Sequence, residues 1–364
     1  MARIAMVVTN ACSPDPRVQR HARWMTEIGH DVTIHAFDRR HEHLKDQEVD
    51  GYKIVRHHIG NYDYGAKLST IRGLRKFTNV MKKELNSDSY DLVYCNDADT
   101  LRIGINGAKK GLKMIFDMHD ISHTWLENSK IPFAKIISTR MERKMIRNAK
   151  GADLIFTTSK SLVPGENNGF VEYLENSSLK STCVLNYEPN PMKKNEARNE
   201  TFTIGYIGRI RDIVGFEVLR NWASKLESKP RILLAGDGVK VNEARSTLSD
   251  FEVDYRGPFK QSDLPDLISE IDAMWCVYDI KRGNISLGAL PVKMFDAAIL
   301  GVPSITNSGC LMQDYAEKYS IGIPFDKSLN LDEFNSLSKD LKFNLSNIEN
   351  PEDVFKQKIS ELGL

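Results

Sequence analysis

LPVKMFDAAILGVPSI, residues 290–305, reads as a proline-started helix, a glycine stop and a buried strand that opens at Pro303. The helix carries Lys293 on its first turn and Asp296 on its second. A helix N-terminus leaves backbone N–H groups without partners, and NISLGA, residues 284–289, sets a glycine-containing loop in front of this one. Together they suit an anion, and an acid one turn deeper suits sugar hydroxyls. Diphosphate at the tip with ribose below is how an α/β protein would hold a sugar nucleotide.

Outward from that stretch, strand and helix signals alternate from end to end, the pattern of parallel sheets covered by helices. IAMVVTN precedes a helix from residue 16 to 29, whose inner face is Val18, Ala22, Met25 and Ile28. DVTIHAF, YKIVRHHI, DLVYCND, KMIFDMHD, ADLIFTTS and TCVLNY follow as strands. EPNPMKKNEARNE, residues 188–200, has two prolines, many charges and no apolar period, and reads as a linker. The cycle restarts with TIGYIG, RILLAGDG, FEVDYRG, AMWCVYD and PSITNS. The expectation is an α/β protein of two doubly wound, Rossmann-like parallel-sheet domains facing across a cleft. One spans residues 1–190, the other 200–345, and a last helix in 346–364 has Val354, Ile359 and Leu362 as apolar positions. Ligands in such sheets lie beyond the C-terminal strand ends.

With 364 residues, 41% hydrophobic and 27% charged, the chain has the composition of an ordinary globular protein. It has no apolar run long enough to span a membrane, and the first residues read as a strand, so a cleavable leader is not expected. A cytoplasmic location is expected. The five cysteines are far apart, which fits neither a zinc site nor a disulfide framework, and buried free thiols are the plain reading. Net charge is +1, yet residues 1–186 carry about +6 and the remainder about −5. Two basic amphipathic stretches, residues 66–85 and 131–150, account for much of this. They read as solvated helix surfaces or as a peripheral contact with the inner face of an anionic membrane. Nucleic acid is not expected, because no aromatic ladder accompanies the charge.

The ordered set of segments resembles the GT-B glycosyltransferases, specifically the retaining family 4. SPDPRVQRHARWMTEIGHDVTIHAFD is similar to the family's first loop and helix. DLVYCNDADTLRIGINGAKKGLKMIFDMHD is similar to its fourth strand and "HD/HE" segment. TIGYIGRI, LLAGDG, YRGPF and LPVKMFDAAILGVPSIT follow in the family's order. The resemblance implies transfer of a sugar from a nucleotide donor with the anomeric configuration kept. It also implies a final helix that crosses back onto the first domain. Two positions depart from the family pattern. Its paired glutamates correspond to Gly288 and Asp296, and its Arg–Lys pair to Arg209 and Val214. Arg211 or Lys293 would then supply the missing charge.

Each candidate residue has a plain reading beside the functional one. Arg209, after Gly208 at a strand end, has a fork of donors suited to diphosphate, or it pairs with Asp212. Asp296 binds ribose, or it caps its own helix as an exposed acid. Lys293 contacts phosphate, and Ser286, Leu287 and Gly288 form a loop with open amides around it, or a mobile loop. The resemblance lays the base against Gly257 and Phe259 and sets His119, at the end of KMIFDMH, on the transferred sugar. Asp120 orients His119, touches the acceptor, or caps the next segment. Arg17 meets the acceptor or a phosphate, or stays a helix-surface charge. Asp97-Ala98-Asp99 spells the metal motif of a different fold and is taken as coincidence, with no metal site expected. His41, His43, His57 and His58 read as surface histidines.

The leading reading is a metal-independent, retaining hexosyltransferase without a cofactor. Its donor is a UDP- or GDP-sugar and its acceptor a glycan or lipid-linked molecule. Arg209, His119 and Lys293 carry the chemistry. The rivals are a non-catalytic GT-B-like nucleotide-binding or partner subunit, and a GT-B sugar-nucleotide epimerase. A dinucleotide oxidoreductase is excluded, because neither IGYIGRI nor LLAGDGVKV supplies the glycine fingerprint.

Overall fold

Short apolar runs that alternate with amphipathic helices pair, in the computed structural model, into two parallel sheets. The structure describes residues 1–60, 67–87, 90–127, 132–189 and 201–364. The chain forms two units. Met1–Lys160, Phe170–Asn186 and Asn350–Leu364 make the first, and Ser161–Gly169 with Tyr187–Glu349 the second. The boundary therefore differs from the expected one in two places. It falls after Asn186, and Ser161–Gly169 joins the second unit, where Asn168 Nδ2 donates to Asp314 at 3.0 Å. Most of the expected linker, residues 190–200, lies outside the described residues.

The first unit contains β1 (Arg3–Val8), α1 (Pro16–Glu27), β2 (Asp31–Ala36), β3 (Asp46–Val49), β4 (Tyr52–Arg56), α2 (Lys67–Ser87) and β5 (Leu92–Asn96). It continues through α3 (Leu101–Ala108), β6 (Lys113–Met118), α4 (Thr124–Glu127), α5 (Ala134–Ala149), β7 (Leu154–Thr157), α6 (Phe170–Glu175) and β8 (Thr182–Cys183). The sheet order is β3-β4-β2-β1-β5-β6-β7-β8, parallel except for the β3–β4 hairpin. The order reverses direction between β1 and β5, so a crevice opens at their C-terminal ends. Asp15 starts α1 as N-cap, accepting from Val18 N at 3.3 Å, with Pro16 at the first position.

The second unit contains β9 (Thr203–Ile207), α7 (Val214–Ala223), β10 (Arg231–Ala235), α8 (Val241–Thr247), β11 (Val253–Gly257), α9 (Leu264–Ser269) and β12 (Ala273–Cys276). Then come α10 (Gly283–Ser286), α11 (Val292–Ile299), β13 (Ser304–Thr306), α12 (Leu311–Lys318), β14 (Gly322–Pro324) and α13 (Leu331–Lys339). Its order, β11-β10-β9-β12-β13-β14, is parallel throughout and reverses between β9 and β12. The core stacks Trp222 on Trp275 at 5.8 Å. Each buried indole N–H finds a carbonyl, Leu329 O at 2.6 Å and Gly215 O at 3.0 Å. The second of these pins the first turn of α7 to β12.

The chain closes with α14 (Pro351–Glu361), which packs on the first unit. Its anchor is Phe355, which the expected apolar set missed. The ring is fully buried, 4.3 Å from His21, 5.1 Å from Phe156 and 5.5 Å from Trp24. Phe355→Ala should therefore cost about 3–5 kcal/mol. Ser360→Ala, on the exposed side of the same helix, should change stability by less than about 0.5 kcal/mol. Calorimetric unfolding of the two variants checks the contrast, and equal effects would refute the anchor.

Candidate functional site

Each unit gathers charged groups at the reversal of its sheet, and the second does so around Lys293. β9 runs out into Gly208 (φ 135°), whose N–H donates to Ala235 O at 2.8 Å. β10 runs out into Gly236 (φ 137°), and a Cβ on Gly236 would overlap the Gly208 carbonyl. The loops thus meet backbone to backbone, which only glycine permits.

Lys293 rises from the first turn of α11 behind these loops. Its Nζ is buried, lies 3.1 Å from the ring centroid of Tyr206 on β9, and has no hydrogen-bond partner among the described residues. The Tyr206 ring face offers it partial compensation. Burial pushes the ammonium down to about 7, against weaker pulls from Cys276 and Asp212. A Cβ on Gly208 would stand 3.8 Å from Nζ, so little lies between the amine and the strand end.

Arg209 follows directly, with about half of its side chain (53%) exposed. It faces Asp237 at 4.0 Å, not the expected Asp212, whose carboxylate pairs with Arg282. A loose exposed pair of this kind holds an arginine only weakly. Arg211 is exposed on the same loop. Asp296 is 5% exposed, a buried acid in mid-α11 and not an exposed cap. Gly257 ends β11 with open space where a side chain would stand, and Phe259 beyond it is half-buried.

The expected loop of open amides at Ser286, Leu287 and Gly288 is corrected. Residues 283–286 form the helical turn α10, and the Ser286 hydroxyl donates back to Gly283 O at 3.0 Å. The N–H groups of Leu287, Gly288 and Ala289 donate to the carbonyls of Gly283, Ile285 and Asn284. They are therefore taken. Gly288 (φ 102°) is buried, and a Cβ there would overlap the carbonyl of Asn168. The place of the family's first glutamate is filled by the backbone of Ser161–Gly169.

In the first unit the centre is Asp117, fully buried at the end of β6. It accepts from Arg17 Nη2 at 2.7 Å, Arg17 Nε at 3.0 Å, Tyr94 Oη at 3.1 Å and His119 Nε2 at 3.1 Å. Burial would raise this carboxyl, but Arg17, His119 and His21 hold it well below the usual range. Arg17 is thereby reassigned. Its guanidinium is buried, spends Nε and Nη2 on Asp117 and donates Nη1 to Val184 O at 2.8 Å. It joins α1 to β6 and β8 and has no face for an acceptor. Sequence reasoning missed Asp117, though a lone acid inside an apolar strand signals a buried partner.

His119 is held between two carboxylates. Its backbone N–H donates to Asp97 Oδ1 at 3.0 Å, and its Nδ1 lies 3.5 Å from Asp97 Oδ2. Burial disfavours its charge, but Asp97 and Asp117 prevail and hold the imidazole up to about 9. Burial pushes Asp97 up to about 7, with His119 opposing and Asp99 and Asp120 adding. Asp97 has φ 62°, unusual for a side-chain-bearing residue and frequent at functional sites. Asp99 accepts from the Thr9 hydroxyl. Asp120, beside His119, is half-buried. Among the described residues no three His, Cys, Asp or Glu groups are arranged to hold a metal ion.

Two histidines expected at the surface are packed instead. His57 Nε2 lies 3.1 Å from His35 Nδ1, and burial pushes His57 down to about 4. His58 stacks on His41 at 4.6 Å and reaches Asp38 at 3.3 Å.

Residues 17–163 match the family model described as Glycosyltransferase Family 4. No curated protein sequence matches the chain. Among solved structures, sucrose-phosphate synthase from Thermosynechococcus elongatus is similar at 14% identity and TM-score 0.70, covering 100% of this chain and 95% of that one. Anabaena HepE in complex with UDP-glucose is similar at 13% identity and TM-score 0.60, covering 100% and 99%. The lipopolysaccharide outer core galactosyltransferase WaaB, in its apo form, is similar at 14% identity and TM-score 0.54, covering 99% and 95%. At these identities the structures establish the fold, which is GT-B architecture, and the glycosyltransferase model matches part of the first unit.

Two outcomes follow from the geometry. Asp97→Asn should lower the His119 pKa from about 9 towards 6.5, read by NMR titration of the ring. Charged His119 stabilises the first unit fully below pH 6.5, and that share fades as pH rises through about 9; an unmoved pKa would refute the pairing. Gly288→Glu should not rebuild the family's acid but displace Asn168. The expected result is a lower melting temperature with no gain in nucleotide affinity, and a variant as stable as the parent would contradict the packing.

Proposed function

We propose that the chain moves a sugar from a UDP- or GDP-sugar to a glycan or lipid-linked acceptor, keeping the anomeric configuration and needing no metal ion. One observation carries the donor half. A buried amine with no hydrogen-bond partner among the described residues stands beside the end of β9 and on the first turn of α11, next to the half-exposed Arg209. A pyrophosphate set there meets two cations and a helix N-terminus. UDP-glucose is the ligand named for HepE.

The reaction's demand is electrostatic. As the glycosidic C–O bond breaks, negative charge collects on the leaving diphosphate. Lys293 is held in place before that moment, so its stabilisation needs little reorganisation, and the loosely held Arg209 closes on the diphosphate beside it. Removing one such donor typically costs about 3 kcal/mol of barrier. In this reading the two cations do the work a metal would do. Attack from the leaving-group face gives retention, with a donor phosphate oxygen taking the acceptor proton, so no protein nucleophile is assigned. For the first unit the resemblance assigns a sugar contact to His119, whose ring nitrogens face Asp117 and Asp97, and an acceptor contact to Asp120. Asp296 holds ribose, and Gly257 and Phe259 lie along the base.

A second reading has one observation in its favour. Asn168 fills the place of the family's first glutamate and Val214 that of its lysine, which suits a nucleotide-binding subunit that does not turn over. Titration with nucleotide and a turnover assay separate the two, since only the first reading expects both.

A thermal-shift screen across UDP-, GDP-, ADP- and dTDP-sugars should identify the base by the largest rise in melting temperature. Diphosphate favours charged Lys293, so binding takes up a proton. Affinity for the best ligand should fall as pH rises above about 7, by up to about tenfold per pH unit. Lys293→Met should weaken binding and remove that slope, and Arg209→Ala should slow turnover at least about 100-fold with little change in melting temperature. A slope that survives in Lys293→Met would overturn the assignment. Chelators should leave the rate unchanged.

A further inference from the structure

One helix layer of the first unit carries a charge no other part of the chain shares. α3 packs against both α2 and α5, so the three lie together on one side of the sheet. Their sequences hold twelve Lys or Arg and two Glu. α1 and α14, which pack on each other elsewhere in the unit, mix the two signs, with ion pairs such as Lys356 to Glu27 at 2.6 Å. The basic layer is therefore a local feature and not the unit's general character.

Within it α5 combines charge with exposed apolar groups. Its buried side consists of Ala134, Ser138, Met145 and Ala149. Outside that side stand Phe133 at the helix start, 75% exposed, and Ile136 at 52%, with Ile137 and Met141, at 39% each, along one flank. These sit at helical spacing around exposed Arg140, with Lys144 one turn on. Across α2, α3 and α5 only Glu84 and Glu142 are acidic, and Glu142 is engaged by Tyr173 Oη at 2.8 Å. Ile71 of α2 adds a further exposed apolar group among Arg72, Arg75 and Lys76.

A solvated helix does not need four large apolar side chains in its cationic arc. A nucleic acid surface needs the cations but not the aliphatic groups. A bilayer with anionic headgroups uses both: cations stay at headgroup level and apolar side chains enter the acyl boundary. We propose that α5, supported by the cations of α2 and α3, docks the protein on an anionic lipid bilayer, with Phe133, Ile136, Ile137 and Met141 inserted. The helix lies along the surface and does not cross it, in line with the absence, among the described residues, of any helix long and apolar enough to span a membrane. This goes beyond the sugar-transfer reading, and it is tested without donor or turnover.

The test is co-sedimentation of the full chain with vesicles of phosphatidylcholine, alone or mixed with phosphatidylglycerol. The chain should bind the mixed vesicles, bind the neutral ones much less, and partly release as salt rises. Phe133→Ser combined with Ile137→Asn should lower partitioning by about tenfold or more, the scale carried by burying one large apolar side chain. Its melting temperature should fall by only a few degrees, since Phe133 is largely and Ile137 partly exposed. Arg140→Glu with Lys144→Glu should remove the preference for phosphatidylglycerol. Absence of binding to mixed vesicles, or undiminished binding by both variants, overturns the proposal. So does a chain that binds single-stranded RNA but not vesicles, or an oligomer in sedimentation velocity that Phe133→Ser with Ile137→Asn dissolves.

Discussion

A carboxylate in a protein core must be answered by partners, and Asp117 is answered from several elements at once. Arg17 reaches it from α1, Tyr94 from β5 and His119 from the end of its own strand. Removing one partner would leave a buried charge uncompensated, which typically costs several kcal/mol, while the intact set roughly offsets its own desolvation. The network is thus better at fixing geometry than at adding stability. It ties α1 to β6 and, through Arg17 and Val184, to the β8 end, and it sets His119 as a cation between two acids.

The second unit treats its buried charge in the opposite way. Lys293 has an aromatic face and, among the described residues, no hydrogen-bonding partner, and burial brings its pKa to about 7. An amine at that threshold gains a full charge for little free energy when an anion arrives. One buried charge is locked and the other, in the proposed reading, is left to the ligand, and both stand where a sheet reverses direction.

Much of this was legible in the chain. Runs such as IAMVVTN and RILLAGDG could only be buried parallel strands, and the alternation with helices left little room for another class. Residues 290–305 gave a helix, a stop and a strand within a residue or two of α11 and β13. The failures share a cause. The partner that decides Arg17 lies 100 residues away, and the carbonyl that decides Gly288 lies 120 residues upstream. Local pattern shows that a position is unusual, but not what touches it. Residues 283–286 misled for another reason: GNIS has the composition of a loop, and only its tertiary setting makes it a helical turn. Phe355 was within reach, since it continues the spacing to Ile359 that the last helix already showed.

The two departures from the family pattern make better sense together than apart. An Arg–Lys and Glu–Glu quartet is electrically neutral. This chain lacks the lysine, having Val214, and lacks one glutamate, having Gly288, so those losses cancel in charge. Asp296 keeps the second acid and Lys293 adds a cation on the same helix, one turn nearer its N-terminus. The remaining set is Arg209, Lys293 and Asp296, net positive by one when the amine is protonated. Its cation comes from beneath the strand end instead of from the loop above it. A glutamate at 288 would have opposed a diphosphate and pulled on Lys293; the backbone of Asn168 does neither. In the proposed reading the substitution pattern is that of a rebuilt anion pocket, since a merely decayed one would have no reason to keep an ammonium buried at the cost of its own hydration.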